Sequence, residues 1–220
     1  MSFNGIQAVE DGWDFIFHSN PKAFLKFNFF FILKYFFSFT VLGLILSLFL
    51  DRYGIVVSLL VNIILLLPLW CAANTAACRK TEKVSKADFR LSGVLIWRTI
   101  LAFWLSKFIA LLCALFCIIP GIIAGTYLSL VLPAIVLDGS GAGKSLVSSY
   151  RLVRGHFVDL YALNAATSSF SLLALTAIVL AIFFSHWAII AAVLFVMAHI
   201  ITVPLESVAL VRMYKHLSTE

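Results

Sequence analysis

The stretch IIPGIIAGTYLSLVLPAIVLDGSGAGKSLVSSYRLVRGH, residues Ile118 to His156, decides how this chain folds. It opens apolar at Pro120-Gly121, carries a second proline at Pro133, and leaves the apolar phase at Asp138-Gly139. A basic amphipathic helix is then expected over 142–154. Ala142, Leu146, Val147, Tyr150 and Val153 fall on one side of it, and Lys144, Ser148, Arg151 and Arg154 on the other. An apolar helix that ends in a basic surface helix belongs at a membrane boundary.

The remaining chain repeats that pattern. Its 220 residues are 63% hydrophobic and 12% charged, with mean hydropathy +1.07. Soluble domains run at roughly 45–50% apolar and about 25% charged. The excess comes in blocks long enough to cross a bilayer, so lipid is the solvent. The expectation is an all-α polytopic membrane protein, one integral domain over 1–220. Transmembrane helices are expected near 28–50, 55–77, 98–119, 120–137, 159–184 and 187–211, six in three hairpins. Two cytoplasmic interfacial helices accompany them, 1–20 and 142–154. Met1 to Asn20 does not read as a signal peptide, because Glu10, Asp11 and Asp14 stand where a basic start belongs. Ile6, Val9, Trp13, Ile16 and Phe17 give that segment an apolar face. Pro21 suits the first position of the next helix, with Asn20 as its cap.

Net charge is +6, and the cations gather at the ends of apolar runs. Lys22 and Lys26, the Arg79–Arg98 loop, the Lys144–Arg154 loop, and Arg212 with Lys215 alternate with cation-poor turns. The positive-inside rule then puts both termini and both long loops in the cytoplasm. Lys144, Arg151 and Arg154 are the expected contacts for anionic headgroups. The charge needs no nucleic acid to explain it.

The segment before Lys144 imitates a phosphate-binding loop, but the spacing fails: Asp138 occupies the position of the first glycine. No nucleotide, cofactor or metal is expected. Cys71, Cys78, Cys113 and Cys117 read as small buried hydrophobes, and the five histidines form no catalytic set. Pro120-Gly121 reads as the turn between helices three and four. Gly121 and Gly125 form a G-x-x-x-G step that permits close helix packing. Pro68, Pro133 and Pro204 are each followed eleven residues later by a cation, Arg79, Lys144 and Lys215. Three hairpins on one plan or coincidence would both produce this.

The runs P-G-I-I at 120–123, L-P-A-I-V at 132–136, K-S-L-V-S-S-Y-R-L-V-R-G-H at 144–156 and M-Y-K-H-L at 213–217 resemble a broad bacterial group. It comprises the YciC-like inner-membrane proteins and the membrane domain attached to some glycerophosphodiester phosphodiesterases. The resemblance implies a multi-pass protein of the bacterial inner membrane, without the phosphodiesterase catalytic domain.

Two functions fit these residues. One is a non-enzymatic protein that organises or supports other membrane components, with a membrane-protein partner. The other is a small transporter or channel, pointed to by the intrahelical prolines and the polar residues Asn164, Thr167, Ser168, Ser169, Ser171 and Thr176. Glu206 is the acid placed inside an apolar span, and Lys34 and Lys107 are the bases so placed. Glu206 either pairs with Lys107 or Lys34, or is protonated or wetted near the headgroups while both lysines snorkel.

Overall fold

A computed structural model of the chain describes residues 5–50, 53–79, 83–167 and 188–219. Its regular elements are all helical: α1 (Gly5–Trp13), a π-helical turn (Asp14–Ser19), α2 (Pro21–Leu50), α3 (Tyr53–Ala77), a 3-10 turn (Lys86–Phe89), α4 (Gly93–Phe116), α5 (Ile118–Tyr127), α6 (Val131–Asp138), α7 (Ala142–Arg154), α8 (157–167) and α9 (Ala188–Leu217). Three stretches among the described residues are long and apolar enough to cross a bilayer: Pro21–Leu50, Gly93–Phe116 and Ile118–Asp138. Their outward faces are largely apolar. Phe37, Leu48 and Phe49 on α2, and Leu115, Phe116 and Ile118 at the α4–α5 junction, are between 72% and 90% exposed. A belt of that kind requires lipid.

Packing concentrates at the other end of the helices. Leu130 and Ala134 of α6, Val153 of α7, Leu160 and Leu163 of α8, and Ala209, Leu210, Met213 and Tyr214 of α9 form one core. A second joins Phe15, Ile16 and Phe24 to Ala73, Ala77 and Phe89, with Leu205, Val208 and Val211. Short helices seal this end in a regular order. α1 packs on α9, the 3-10 turn on α3, and α7 on α6.

Several expected boundaries shift, each for a local reason. The turn after α4 falls at Cys117, which is extended (φ −169°, ψ 151°), three residues before Pro120. Pro120 instead lies in the first turn of α5, where its missing N–H costs nothing. The helix expected over 120–137 is two helices. Around Leu128–Leu130 the backbone tightens: Ser129 N–H donates to Thr126 O and Val131 N–H to Leu128 O. Pro133 supplies no N–H for the Ser129 carbonyl, so the four-residue ladder cannot run through. Gly139 (φ 66°) closes α6 in the left-handed region, its N–H on Ile135 O at 2.9 Å.

The two amphipathic helices present different faces from those expected. α1 buries Gly5, Ala8 and Gly12 and leaves Ile6 and Trp13 outside. A Cβ on Gly5 would collide with the Asp159 carbonyl, and one on Gly12 would touch Leu205 at 3.4 Å. α7 buries Ser145, Ser149 and Val153 and leaves Val147 and Tyr150 exposed. In both, small residues admit a neighbouring backbone, and close approach outweighs apolar bulk. Asn20 precedes α2 as expected, but its side chain also ties two segments together. Nδ2 donates to Phe15 O, and Oδ1 accepts from Val84 N–H at 2.8 Å. The fifth expected span is described only as far as Thr167. Ser168, Ser169, Ser171, Thr176 and the turn at Ser185 lie outside the described residues, as do Arg52 and Lys80.

Candidate functional site

Where α3, α4, α8 and α9 surround the break between α5 and α6 there is a cavity of about 480 Å³. Lys107 enters it from α4, Glu206 from α9 and Asn164 from α8. Thr126, Ser129 and Gly125 line it at the broken helix, and Cys71 and Thr75 from α3. Lys107 is nine residues past Arg98, and Glu206 is six before Arg212 and nine before Lys215. Both side chains therefore lie roughly 9–14 Å along their helices from the cationic rim. They sit among packed helices yet keep exposed surface, because they face this space.

The wall has a definite hydrogen-bonding character. Five lining hydroxyls donate to nearby backbone carbonyls of their own segment: Thr75 to Cys71 O (2.9 Å), Ser106 to Phe103 O (2.7 Å), Thr126 to Ile122 O (3.0 Å), Ser129 to Thr126 O (2.8 Å) and Ser207 to Val203 O (2.8 Å), and the Tyr161 phenol also borders the space. A hydroxyl has one proton and two lone pairs. With the proton engaged, what remains for the cavity is acceptor capacity. Glu206 adds carboxylate oxygens. Lys107 supplies the ammonium donor, with its Nζ 5.6 Å from the Phe103 ring centre, and Asn164 adds amide donors.

Lys107 and His199 are the basic groups within electrostatic reach of Glu206. Among the described residues, however, no ion pair or hydrogen bond joins Glu206 to Lys107. Lys34 is exposed on α2, which contributes no residue to the cavity among those described. Of the two pairings open from sequence, only Lys107 shares a space with Glu206. The polar wall itself was missed. Its signal was available as polar residues inside apolar runs: Cys71 and Thr75, Ser106 and Lys107, Thr126 and Ser129, and Glu206 and Ser207.

The glycines divide. A Cβ on Gly121 would meet the Ala114 Cβ at 2.5 Å, so this residue lets α4 and α5 touch. A Cβ on Gly125 would meet nothing within 4 Å among the described residues, and Gly125 borders the cavity instead of a helix contact there. Pro133 also borders the cavity. The cysteines correct an expectation too. Cys78 is buried, but Cys71 and Cys113 are half-buried and Cys117 is exposed at the α4–α5 hinge.

No family model, curated protein or solved structure matches this chain.

The rim above the cavity is a second polar cluster, and it is structural. Arg79 Nη2 donates to Val136 O, Arg98 Nη1 to Gly139 O (2.7 Å), and Lys215 Nζ to Cys78 O and Arg79 O (3.3 and 3.0 Å). Cations thus satisfy carbonyls that helix ends leave open. Tyr214 donates to Asp138 Oδ2, joining α9 to α6. Burial first, then the Asp138 hydrogen bond and charge, push the Tyr214 phenol up to about 12, so it remains a donor. Ser149 of α7 donates to Tyr127 O at the helix break (2.7 Å), which anchors the amphipathic helix there. Lys144, Arg151 and Arg154 stay exposed on the outer side of α7.

Proposed function

We propose that this chain is a carrier of six crossings that admits a small polar solute to an intramembrane cavity. The observation that carries this is the coincidence of the α5–α6 break with a cavity holding Lys107 and Glu206. Interrupted backbone inside a membrane is tolerated where it is buried in protein or lines a water-filled cavity. Intramembrane charges facing a bundle interior mark solute or ion pathways, and discontinuous helices are how carriers build such sites.

An organising role, the other reading of the sequence, is less directly supported. Apolar residues of α1 and α7 do stay exposed, Ile6, Trp13, Val147 and Tyr150, but small residues of both helices are committed to packing within the chain, and that role gives no account of the cavity. The arrangement as three hairpins is supported by the order of the seals. The short helix ahead of each expected hairpin packs on the second helix of the one before, cyclically. It is supported also by Lys215 reaching the end of α3 and Arg79 the end of α6. Both termini then lie in the cytoplasm of a bacterium whose inner membrane holds the protein, with Lys144, Arg151 and Arg154 against anionic headgroups. Ala134, Val153, Met213 and Tyr214, which lie in the runs that resemble the YciC-like group, meet in one core.

The test is water access. In a variant with the four native cysteines changed to Ala, Ser129→Cys should react with a charged methanethiosulfonate in liposomes, whereas Leu130→Cys, fully buried, should not. Protection of Ser129→Cys from both sides, while Lys144→Cys reacts, sinks the carrier reading.

A further inference from the structure

An acidic and a basic side chain on different helices face one cavity without meeting. Lys107 comes from α4 and Glu206 from α9, and no ion pair links them among the described residues. A structural ion pair in a membrane would close that gap, because contact is what compensates each charge. Here the gap is kept and walled with polar groups. Next to Glu206, Ser207 has its proton engaged by Val203 O. On the broken helix, Ser129 and Thr126 are engaged in the same way. Each presents lone pairs, which suit an N–H-rich group and not a second anion. At the other pole, Lys107 offers three donors. The side-chain amide of Asn164 has no hydrogen-bond partner among the described residues. The volume, about 480 Å³, falls within the range of small-molecule sites.

We propose that the cavity binds a small zwitterion, its anionic end on Lys107 and its ammonium on Glu206 and the hydroxyl oxygens. This rests on the carrier reading and deepens it. A ligand with one charge would leave the opposite wall charge uncompensated, whereas a zwitterion completes both at once. The same chemistry occurs in a free α-amino acid and in the phosphate–ammonium headgroup of phosphatidylethanolamine.

Thermal unfolding of the full chain in detergent separates these. L-Serine, serine amide (cation only), lactate (anion only) and dioctanoyl phosphatidylethanolamine are the probes. Serine or the short-chain lipid should raise the midpoint in a saturable manner, and the two singly charged analogues should not. A response to serine alone assigns a free solute, and one to the lipid alone assigns a headgroup. Lys107→Met and Glu206→Gln should each weaken the effective zwitterion binding about tenfold or more, as loss of a charge-assisted hydrogen bond does. The double variant Lys107→Met/Glu206→Gln removes both unpaired charges. It should fold and give no response, which separates lost binding from lost folding. Equal stabilisation by serine amide or lactate, no stabilisation by either zwitterion, or an unaltered response in the double variant overturns the proposal. If Ser129→Cys is water-accessible while the zwitterions fail, this inference falls and the carrier reading stands. If Ser129→Cys is inaccessible, the carrier reading falls.

Discussion

Gly121 illustrates what a residue's sequence context can hide. Beside Pro120 it reads as turn chemistry, a glycine freed from the usual backbone limits. In the structure the turn lies at Cys117, and Gly139 is the described glycine with positive φ. What Gly121 provides is absence of bulk against Ala114. Gly121→Ala should therefore destabilise the protein by about 1–3 kcal/mol through overpacking. Adding Ala114→Gly should return part of that loss in detergent melts. An undiminished melting temperature in the single variant would leave Gly121 without this role. Lys107 and Glu206 were legible as unusual because charge inside an apolar run is expensive wherever the helix points. Their shared cavity was not legible, since it depends on the rotation of two helices 99 residues apart. Asp138 gave no sign of its bond to Tyr214 for the same reason.

Among the elements, α7 was placed to the residue, Ala142–Arg154, because a glycine-rich start, a clear period and Gly155 bound it. Its inward face was not, because Ser145 and Ser149 are scored as polar. In the structure their hydroxyls find backbone carbonyls: Gly141 O and Ala142 O for Ser145, and Tyr127 O for Ser149. The break between α5 and α6 was also unread. A proline three residues into a second helix looks the same as one inside a continuous helix. The eleven-residue offset from proline to cation acquires partial substance. Arg79 and Lys215 reach carbonyls at neighbouring helix ends, whereas Lys144 is exposed. Pro133→Ala restores an N–H to the Ser129 carbonyl and should let α5 and α6 run together. In the cysteine-free background, labelling of Ser129→Cys should then fall several-fold while membrane insertion is unchanged. Equal labelling with and without Pro133 would assign the break to packing by α7.

For the whole molecule, the proposed topology rests on cation placement. A reporter fused after Leu217, or within 144–154, should be active on the cytoplasmic side, and one at the α4–α5 hinge near Cys117 on the far side. A far-side C-terminus would contradict six crossings. The sequence by itself determined the solvent, the all-helical class and which run ends carry cations, because run length and hydropathy alone decide partition into a bilayer. Tertiary structure decided the helix break, the faces of α1 and α7, and the cavity that Lys107 and Glu206 share. The physical reason is that lipid and buried protein are equally apolar. Hydropathy that places a helix in the membrane therefore carries no record of which side meets another helix. That information resides in small residues and in hydroxyls already bonded to backbone, and it takes effect only when a neighbouring helix is in place.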